Sequence, residues 1–598
     1  MSAVCPLLES GKLVTYKIKV DGADIQSTIE VESITTRIYA NRIPKARLVL
    51  YDGSGATGDF EISNMETFIP GKKVDINIGY DSKEETVFSG IIIKQGIEIF
   101  QNQGSKLIVD ISDEALKMTL ERKNGYFAKI KDGDLIAKLI TNSGLQKDVD
   151  TTDIEHEEII QYDASDWDTM LSRAEINSLI AIVASGKVSV KKPDTSLAAD
   201  LVVKYGKSIL DLNIEMDATN QYKSSTIKSY SWDSKTQKVL DSPPESVSFT
   251  DAGNIDTDTL AKVLGVKEIK QQTGGFLDKG SLKSWSSGQL LKSKLARICG
   301  TVRFQGSAKA VTGKTIELDG LGERFNGTVF ISGVEHTVQG GRWLTNVTFG
   351  MKPQWFSQEA SNIAAPGAAG QLPPIKGLQT AVVKKVAVDD AGEYRVQIKL
   401  NLIQDDTGVW ARLGSFYASD KVGAVFFPEV DDEVIVGFMN QDPRYPIILG
   451  SVYSKKHAPA YPPDEKNNKK AIVTRSKLEI TFDDKDKIIE INTPGKHTIT
   501  MDDKATSITI QDTTKNKIEM SKSGIVMDSP GNIDITAKGN ITIAADGNLA
   551  TSAKLDATME GMQVTHTAKT KFSATGSASA ELTSSAMATI QGGLVKIN

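Results

Sequence analysis

One stretch near the end of the chain decides the fold, because it repeats itself every eight residues. It reads Gly531-Asn-Ile-Asp-Ile-Thr-Ala-Lys538, then Gly539-Asn-Ile-Thr-Ile-Ala-Ala-Asp546, and then Gly547-Asn-Leu549. Ile533, Ile541 and Leu549 therefore occupy equivalent positions, as do Ile535 and Ile543. Eight residues provide about one short strand and a turn, and alternate residues of a strand point to the same side. Since one such strand per repeat cannot bury a core alone, the pattern predicts that several chains wind together into one β-helix.

From about Ala471 the chain is a series of short alternating strands with a near-eight-residue period, and towards its end the composition becomes simpler. In residues 561–598, 21 of 38 are Gly, Ala, Ser or Thr, a composition that is also typical of disordered segments. Alternation nevertheless persists in Lys571–Thr575 and Ala580–Thr583. We therefore expect a narrowing β-tube that closes its strand edges, with disorder as the alternative. Its blunt, mostly apolar end would consist of Leu594, Val595, Lys596, Ile597 and Asn598.

The composition of the 598-residue chain excludes several classes of protein. The 70 Lys and Arg residues against 76 Asp and Glu give a net charge of −6, whereas a phosphate-binding face usually makes a domain basic. No run of about 18 apolar residues occurs, so we expect no stable membrane insertion. The two cysteines, Cys5 and Cys299, cannot form a disulfide scaffold, and the first residues do not resemble a signal peptide. We expect synthesis in the cytoplasm, and no nucleic acid, cofactor or metal.

Shifts in composition divide the chain into five segments. They are a β-rich region with helices over 1–361, a small uncharged linker over 362–377, a compact β domain over 378–453, a second linker over 454–470, and the repeats over 471–598. Apolar residues at helical spacing predict helices over 114–123, 132–142, 166–176 and 287–299.

The segment from Gly423 to Tyr453 carries the most specific signal in the chain. It reads GAVFFPEVDDEVIVGFMNQDPRYPIILGSVY and strongly resembles the OB-fold domain of the VgrG family, the spike proteins of type VI secretion systems. The family motif is matched at Pro428, Glu429, Asp432, Glu433, Gly437, Phe438, Asp442, Pro443, Pro446 and Gly450. Asp431 stands where the family usually has Gly, a departure that a turn tolerates because Asp also occupies turns.

The resemblance implies a fold for the whole chain: mainly β with helical inserts. It implies a phage-tail-hub-like module with two β-barrels over 1–361, an OB-fold barrel, and a C-terminal intertwined triple-stranded β-helix. The protein would be a homotrimer whose needle punctures a target envelope when a sheath contracts, and which is expelled in the process. The implied partners are an inner tube protein, baseplate proteins, possible effectors, and a PAAR-repeat tip protein bound at Leu594–Asn598. Type VI secretion systems, extracellular injection particles, pyocins and phage tails all stay open.

Four local patterns could indicate catalysis or ligand binding, and each has a simpler interpretation. Gly53-Ser-Gly55-Ala-Thr-Gly58 matches a dinucleotide-binding pattern, but no helical opening follows it. The consecutive acids 431–433 lead directly into a strand, whereas acid/base catalysis needs carboxylates that converge across a cleft. His336 has no neighbouring Cys or acid network and is predicted to be structural. Cys299 is predicted to be a small core residue on the apolar face of a helix.

These interpretations predict a structural protein without catalytic activity. The alternative is a β-helical carbohydrate-active enzyme or an adhesive fibre of a phage-like particle. Such an enzyme would need aromatic sugar platforms on its β-helix, but residues 471–598 contain no Trp or Tyr, and only Phe482 and Phe572.

Overall fold

The computed structural model of the chain describes residues 3–7, 12–101 and 104–597. These residues belong to two compact units, 1–452 and 453–598. Strands predominate in the first unit and helices interrupt them, which confirms the predicted class, mainly β with helical inserts. No helix in the described part of the chain combines the length and the apolar character that a membrane crossing requires.

The first unit begins with strands that form one half of a 13-stranded sheet. They are β1 Val14–Val20, β2 Ala23–Asp24, β3 Val31–Tyr39, β4 Lys45–Tyr51, β5 Lys73–Tyr80, β6 Lys83–Phe100 and β7 Gly104–Ser112. Alternate residues of these strands are apolar and point to one side, so that Ile18, Leu48 and Ile76 are fully buried in a common core.

A smaller α/β insert follows, packed around its own apolar core. Its elements are α1 Lys117–Leu120, β8 Arg122–Lys131, α2 Asp132–Asn142, β9 Gln146–Val149, β10 Glu155–Ser165, α3 Asp166–Ile176, β11 Ile180–Ala184 and β12 Lys187–Lys191. The helices predicted over 132–142 and 166–176 are confirmed with those bounds. The helix predicted over 114–123 is wrong beyond Leu120, because Arg122 and Lys123 begin β8 and pair with β10.

The second half of the large sheet is built from the next part of the chain. Its elements, with the helices and short strands between them, are β13 Leu201–Lys204, β14 Ile209–Met216, β15 Ile227–Asp233, β16 Lys238–Ser242, α4 Thr257–Leu264, β17 Ile269–Thr273, α5 Lys279–Leu295, β18 Ile298–Gln305, β19 Thr315–Asp319, β20 Gly327–Gln339, β21 Arg342–Phe349 and α6 Phe356–Glu359. The 13-residue strand β20 pairs with β3 as well as with β21, and so joins the two halves. Each half has its own apolar core, and the division of 1–361 into two barrels stays a prediction.

The helix predicted over 287–299 lies earlier, at α5, and this changes the place of Cys299. The carboxylate of Asp278 accepts a hydrogen bond from the Ser281 N–H and caps α5 at residue 279. Cys299 therefore lies in strand β18 opposite Glu215, and its predicted position on a helix is wrong. Burial raises the pKa of its thiol to about 11.

A closed five-stranded barrel completes the first unit, in the order β22-β23-β24-β28-β27. The strands of this region are β22 Gln379–Lys385, β23 Val396–Leu400, β24 Val409–Leu413, β25 Ala418–Ser419, β26 Val422–Gly423, β27 Glu433–Phe438 and β28 Pro446–Ser451. Val383, Ile398 and Val436 are fully buried inside the barrel. A closed barrel of five strands is the architecture of an OB fold.

The second unit contains a single seven-stranded antiparallel sheet in sequence order. Its strands are β29 Lys469–Val473, β30 Glu479–Asp483, β31 Ile488–Asn492, β32 Thr498–Asp502, β33 Ser507–Gln511, β34 Lys517–Ser521 and β35 Gly524–Asp528. From β29 to β34 the strands begin nine or ten residues apart, and each pairs with the next along the same chain. The eight-residue period of the sequence applies only after this sheet.

Candidate assembly surface

One face of the sheet β29–β35 is apolar along two rows that cross β30 to β35. Because β31 and β32 pair with Ile491 opposite Ile499, and β33 places Ile510 opposite Ile499, the rows continue from strand to strand. We call these twelve residues the apolar ladder: Ile480, Ile491, Ile499, Ile510, Ile518 and Met527 in one row, and Phe482, Ile489, Met501, Ile508, Met520 and Ile525 in the other.

Much of the apolar ladder is open to solvent, although Asn532 and Ile533 line a cavity together with five residues of its first row. Eleven of its twelve side chains are between 36% and 72% exposed. Beyond Ile448, no apolar residue of the described chain is buried, so the sheet has no core of its own. A contiguous exposed apolar face is typical of a surface that contacts another polypeptide.

The opposite face of the same strands is mostly polar, and several of its side chains hydrogen-bond to one another. Thr500 and Thr509 are cross-strand neighbours on this face. Lys517 Nζ donates to Glu519 Oε2 at 2.8 Å, and Asn492 Nδ2 donates to Glu479 Oε1 at 3.3 Å. The sheet therefore has one apolar face and one mostly polar face.

Tight turns fix the register that places the twelve ladder residues on one face. Lys487, Lys496, Thr506 and Lys515 adopt positive φ angles of 56°, 61°, 52° and 70° at successive turns. In the turn between β33 and β34, the Asp512 carboxylate accepts hydrogen bonds from the N–H groups of Thr514 and Asn516, at 2.9 and 2.8 Å. A shift of one residue would move the ladder to the other side, so these turns determine the character of the face.

After β35 the described chain has no helix or strand, yet it keeps a regular conformation. Bends occur at 530–531, 538–539, 546–547, 554–555, 562, 569–570, 577–578, 585–586 and 593–594, which is one bend every seven or eight residues. Equivalent side chains have nearly equal exposure: 52% and 53% for Ile533 and Ile541, and 68% for both Ile535 and Ile543. The octad of the sequence is thus a repeat of structure as well, with its apolar side chains left uncovered.

The predicted tip residues continue this uncovered segment. Leu594, Val595 and Ile597 are 77%, 46% and 85% exposed, and Lys596 is exposed too. Asn598, the last residue of the predicted tip site, lies outside the described residues.

The OB-motif residues form turns and strand ends of the barrel rather than a cleft. Asp432 accepts a hydrogen bond from the Glu429 N–H at 2.8 Å, and its carbonyl accepts one from the Val383 N–H. Asp431 has a φ of 72°, a left-handed conformation that Gly adopts without strain. The turn that precedes β27 is thereby fixed against β22, and Glu433 begins the strand that closes the barrel.

The second turn of the motif connects the barrel to the linker before it. Arg444 donates to the buried Asp442 carboxylate from Nε at 3.0 Å and from Nη2 at 2.7 Å, and these contacts lower the pKa of Asp442. The same Nη2 donates to Gln371 Oε1 at 2.9 Å. Pro446 begins β28 opposite Phe438, three residues after Pro443. Proline is tolerated at the first residue of a strand, where its missing N–H costs no ladder hydrogen bond.

Close packing does not require glycine at either of the two glycine positions of the motif. A Cβ on Gly437 would make ordinary contacts, and one on Gly450 would meet no atom within 4 Å. Nothing in the structure explains why Gly450 matches the motif.

The other candidate sites are structural contacts. The Asp52 carboxylate accepts from the N–H groups of Gly53, Ile62 and Ser63, so the glycine-rich loop folds onto an acid rather than around a phosphate. His336 is buried, its Nδ1 lies 2.9 Å from Thr345 Oγ1, and burial lowers its pKa to about 4. Within the described residues, no three His, Cys, Asp or Glu side chains are grouped so that they could hold a metal ion.

Two family models match the chain. The model described as Alg8 N-terminal domain matches residues 10–340. The model described as type VI secretion system/phage-baseplate injector OB domain matches residues 379–453, the region of the closed barrel.

Individual relatives match shorter segments. The chain is similar to the type VI secretion system spike protein VgrG5 of Pseudomonas aeruginosa, with 32% identity over 114 residues, 17% of this chain and 14% of the relative. It is also similar to VgrG1b of the same species, with 28% identity over 174 residues, 27% of this chain and 23% of the relative. The chain thus spans less than a quarter of the length of either relative. These matches confirm the resemblance to VgrG spike proteins that the OB motif indicates.

The chain also has likenesses among solved structures. The 43 kDa tail protein of prophage MuSo2 from Shewanella oneidensis aligns with 57% of this chain and 98% of its own, at 10% identity and a TM-score of 0.43.

Proposed function

We propose that this chain, which belongs over residues 10–340 to the family of the Alg8 N-terminal domain, is the central structural spike of a contractile injection apparatus, because it is similar to VgrG spike proteins and its residues 379–453 match an injector OB domain. Residues 1–361 form the hub, residues 378–453 the OB collar and residues 471–598 the needle, with linkers over 362–377 and 454–470. VgrG5 and VgrG1b, which it resembles, are named as spike proteins, and this does not favour a carbohydrate-active enzyme or an adhesive fibre.

The apolar ladder carries the proposal. A single-layer sheet with one apolar face is not stable alone in water, because the apolar side chains need cover. Three copies of this chain would cover one another by turning their ladders inward to form a three-sided tube. The eight-residue segments after β35 would continue this tube, with each chain supplying the strand neighbours that the other two lack.

A homotrimer also suits the mechanical role of a needle. In an intertwined tube, the backbone and the apolar residues of each coil are held by two other chains, so local opening disturbs several neighbours at once. Resistance to unfolding under load is then a kinetic property of the whole assembly. The hub, with two related halves in each of three chains, would present six similar faces to a hexameric inner tube, beside its baseplate partners.

We assign no catalytic step to the chain. The acids of the OB motif support turns, the loop at Gly53 surrounds an aspartate, and His336 is buried against Thr345. The protein would act by position and stiffness, made in the cytoplasm and expelled when the sheath contracts. Any effector would be carried as cargo by the tip.

The tip at Leu594–Asn598 would bind a PAAR-repeat protein, because an open tube end exposes apolar side chains and unpaired strand edges. Deleting residues 594–598 should abolish binding of a PAAR partner in a pull-down while the trimer stays intact. Unchanged binding would contradict the tip assignment, whereas loss of the trimer itself would show that these residues act in assembly.

The spike assignment predicts a place and a copy number. Contractile particles purified from the producing cell should contain this chain at the baseplate end, with three copies for every six subunits of one inner-tube ring. Quantitative mass spectrometry of the particles measures this ratio. Particles that contract normally without the chain would contradict the proposal.

A further inference from the structure

A second surface with distinct chemistry lies in the first unit, away from the OB motif and in a different unit from the apolar ladder. It is a cleft of about 630 Å³ between α3, α5, β17 and the segment that leads into α6. Three half-buried aromatic rings line it: Trp285 from α5, Trp355 from the residue before α6, and Tyr222 from the segment before β15. Its volume lies within the range of about 300–1,000 Å³ typical of ligand sites.

The ring of Trp355 is held in place by three neighbours. Its Nε1 donates to Gln289 Oε1 at 2.9 Å, and Lys292 Nζ lies 5.1 Å from the ring centroid. Gly288 allows this packing, because a Cβ there would come within 3.1 Å of the ring and 2.7 Å of the Glu175 carbonyl oxygen. A glycine inside α5 lowers the stability of the helix, but here it allows the Trp355 ring to approach the helix closely. The aromatic wall is therefore preorganised.

Most fixed acceptors of the cleft already have protein donors. Gln289 Oε1 is occupied by Trp355, Gln358 Oε1 accepts from the Trp355 N–H at 3.1 Å, and Gln271 Oε1 accepts from Ser229 Oγ at 2.9 Å. The two carboxylate oxygens of Glu175 accept from Lys292 Nζ and from the Phe356 N–H, each at 2.7 Å. The side-chain oxygens of Asn220 and Gln354 are the exceptions among the amides.

The donors of the same side chains have no such partners. Within the described part of the chain, the three glutamine Nε2 groups, the Trp285 indole N–H and the Tyr222 hydroxyl donate to no protein atom. The cleft thus offers flat aromatic faces surrounded by N–H and O–H donors. A matching ligand would be apolar, with many hydrogen-bond acceptors and few hydrogen-bond donors.

We propose that this cleft binds a proline-rich segment of a separate protein in the polyproline II conformation. Such a segment has no internal hydrogen bonds, and prolines lack the N–H, so it presents carbonyl acceptors and apolar rings. Aromatic-lined grooves are the known mode of recognition for such peptides. A sugar fits less well, because each hydroxyl is a donor as well as an acceptor, and most side-chain acceptors of the cleft already accept a hydrogen bond from the protein.

The proline-containing second linker of this chain is held within its own unit. It has the spacing Pro459-Ala-Tyr-Pro462, but Tyr461 is engaged within its own unit, where its hydroxyl donates to Glu479 Oε2 at 3.0 Å and Lys469 lies over its ring. A docking site for another protein on the hub goes beyond the spike role and does not depend on the needle.

The probe is a ten-residue polyproline peptide titrated into the full-length protein, with tryptophan fluorescence and calorimetry as readouts. We expect saturable binding that Trp285→Ala weakens at least tenfold. Tyr222→Phe removes one donor while keeping the ring and the fold, and should weaken binding roughly three- to tenfold. Trp232→Ala is the matched control, since Trp232 is an exposed aromatic of β15 that does not line the cleft.

Several results would overturn the inference. No saturable signal up to about 2 mM peptide, or equal binding of a ten-residue Gly-Ser peptide, excludes polyproline recognition. Binding that Trp232→Ala weakens as much as Trp285→Ala would place the site elsewhere. Saturable binding of chitohexaose in the cleft, with none of polyproline, would replace the peptide with a sugar.

Discussion

Substituting Ile499→Lys together with Ile510→Lys would place two charges at the centre of the apolar ladder. The two residues are cross-strand neighbours on β32 and β33, so both lysines would occupy one patch of each copy. In the proposed trimer the patch is buried against two other chains. The isolated sheet would tolerate the change, because both positions are open to solvent there.

The magnitude follows from the exposed fractions. Ile499 and Ile510 are 36% and 44% exposed in the single chain. Full burial of an isoleucine contributes about 1.5–3 kcal/mol, so covering the exposed part contributes roughly 0.5–1.3 kcal/mol for each. Over the twelve ladder residues this amounts to an upper estimate on the order of 10 kcal/mol per chain. One unpaired buried lysine costs several kcal/mol, so two lysines per chain cancel most of the gain that the ladder gives that chain.

The assay is resistance of residues 469–528 to SDS and to protease, measured on full-length protein. The wild type should resist both, and the double lysine variant should lose this resistance. The matched control is Thr500→Lys with Thr509→Lys, a cross-strand pair of the same two strands on the polar face, which should keep it. Equal resistance of the ladder variant and the wild type would refute the reasoning, because the ladder would then not be buried.

Three further predictions concern the first unit. Asp431→Gly should raise the melting temperature of the OB barrel by a few degrees, corresponding to roughly 0.5–1 kcal/mol, because Asp431 adopts a φ of 72°. The pKa of His336 is lowered to about 4 from an ordinary 6.5, so the stability linked to its neutral form is complete above pH 6.5 and is lost as pH falls towards 4. This loss reaches roughly 2 kcal/mol at pH 5, and His336→Gln should remove it from the pH dependence of urea unfolding. Arg122→Ala should speed elastase cleavage within 362–370, because Arg122 donates to the carbonyls of Asn362 and Ile363.

The period and register of the sequence determined which parts of the fold could be predicted. Helices α2 and α3 were predictable because an acid stands at each start and the apolar residues recur at helical spacing. The helix at 114–123 was extended too far, since the pairing of Arg122 with Ser165 is a contact 43 residues away that no local pattern reports. Helix α5 was placed too late because Asp278 caps it within a polar stretch that lacks apolar periodicity.

The assembly surface was only partly predictable. The octad of 531–549 indicated a tube shared between chains, and the bends continue it to residue 594. Strand pairing between chains does not describe residues 469–528. Strands β29 to β34 begin nine or ten residues apart and pair within one chain, and only the ladder is left exposed. The aromatic cleft could not have been predicted, because Tyr222, Trp285 and Trp355 come from three distant segments with no shared motif.

The mass of the purified chain in solution tests the central claim most directly. One chain is 64.7 kDa, so three chains amount to 3 × 64.7, or 194 kDa. Light scattering at micromolar concentration should give the mass of three chains, and deletion of 471–598 should lower the stability of that state towards SDS. A stable mass of one chain would contradict the trimeric spike.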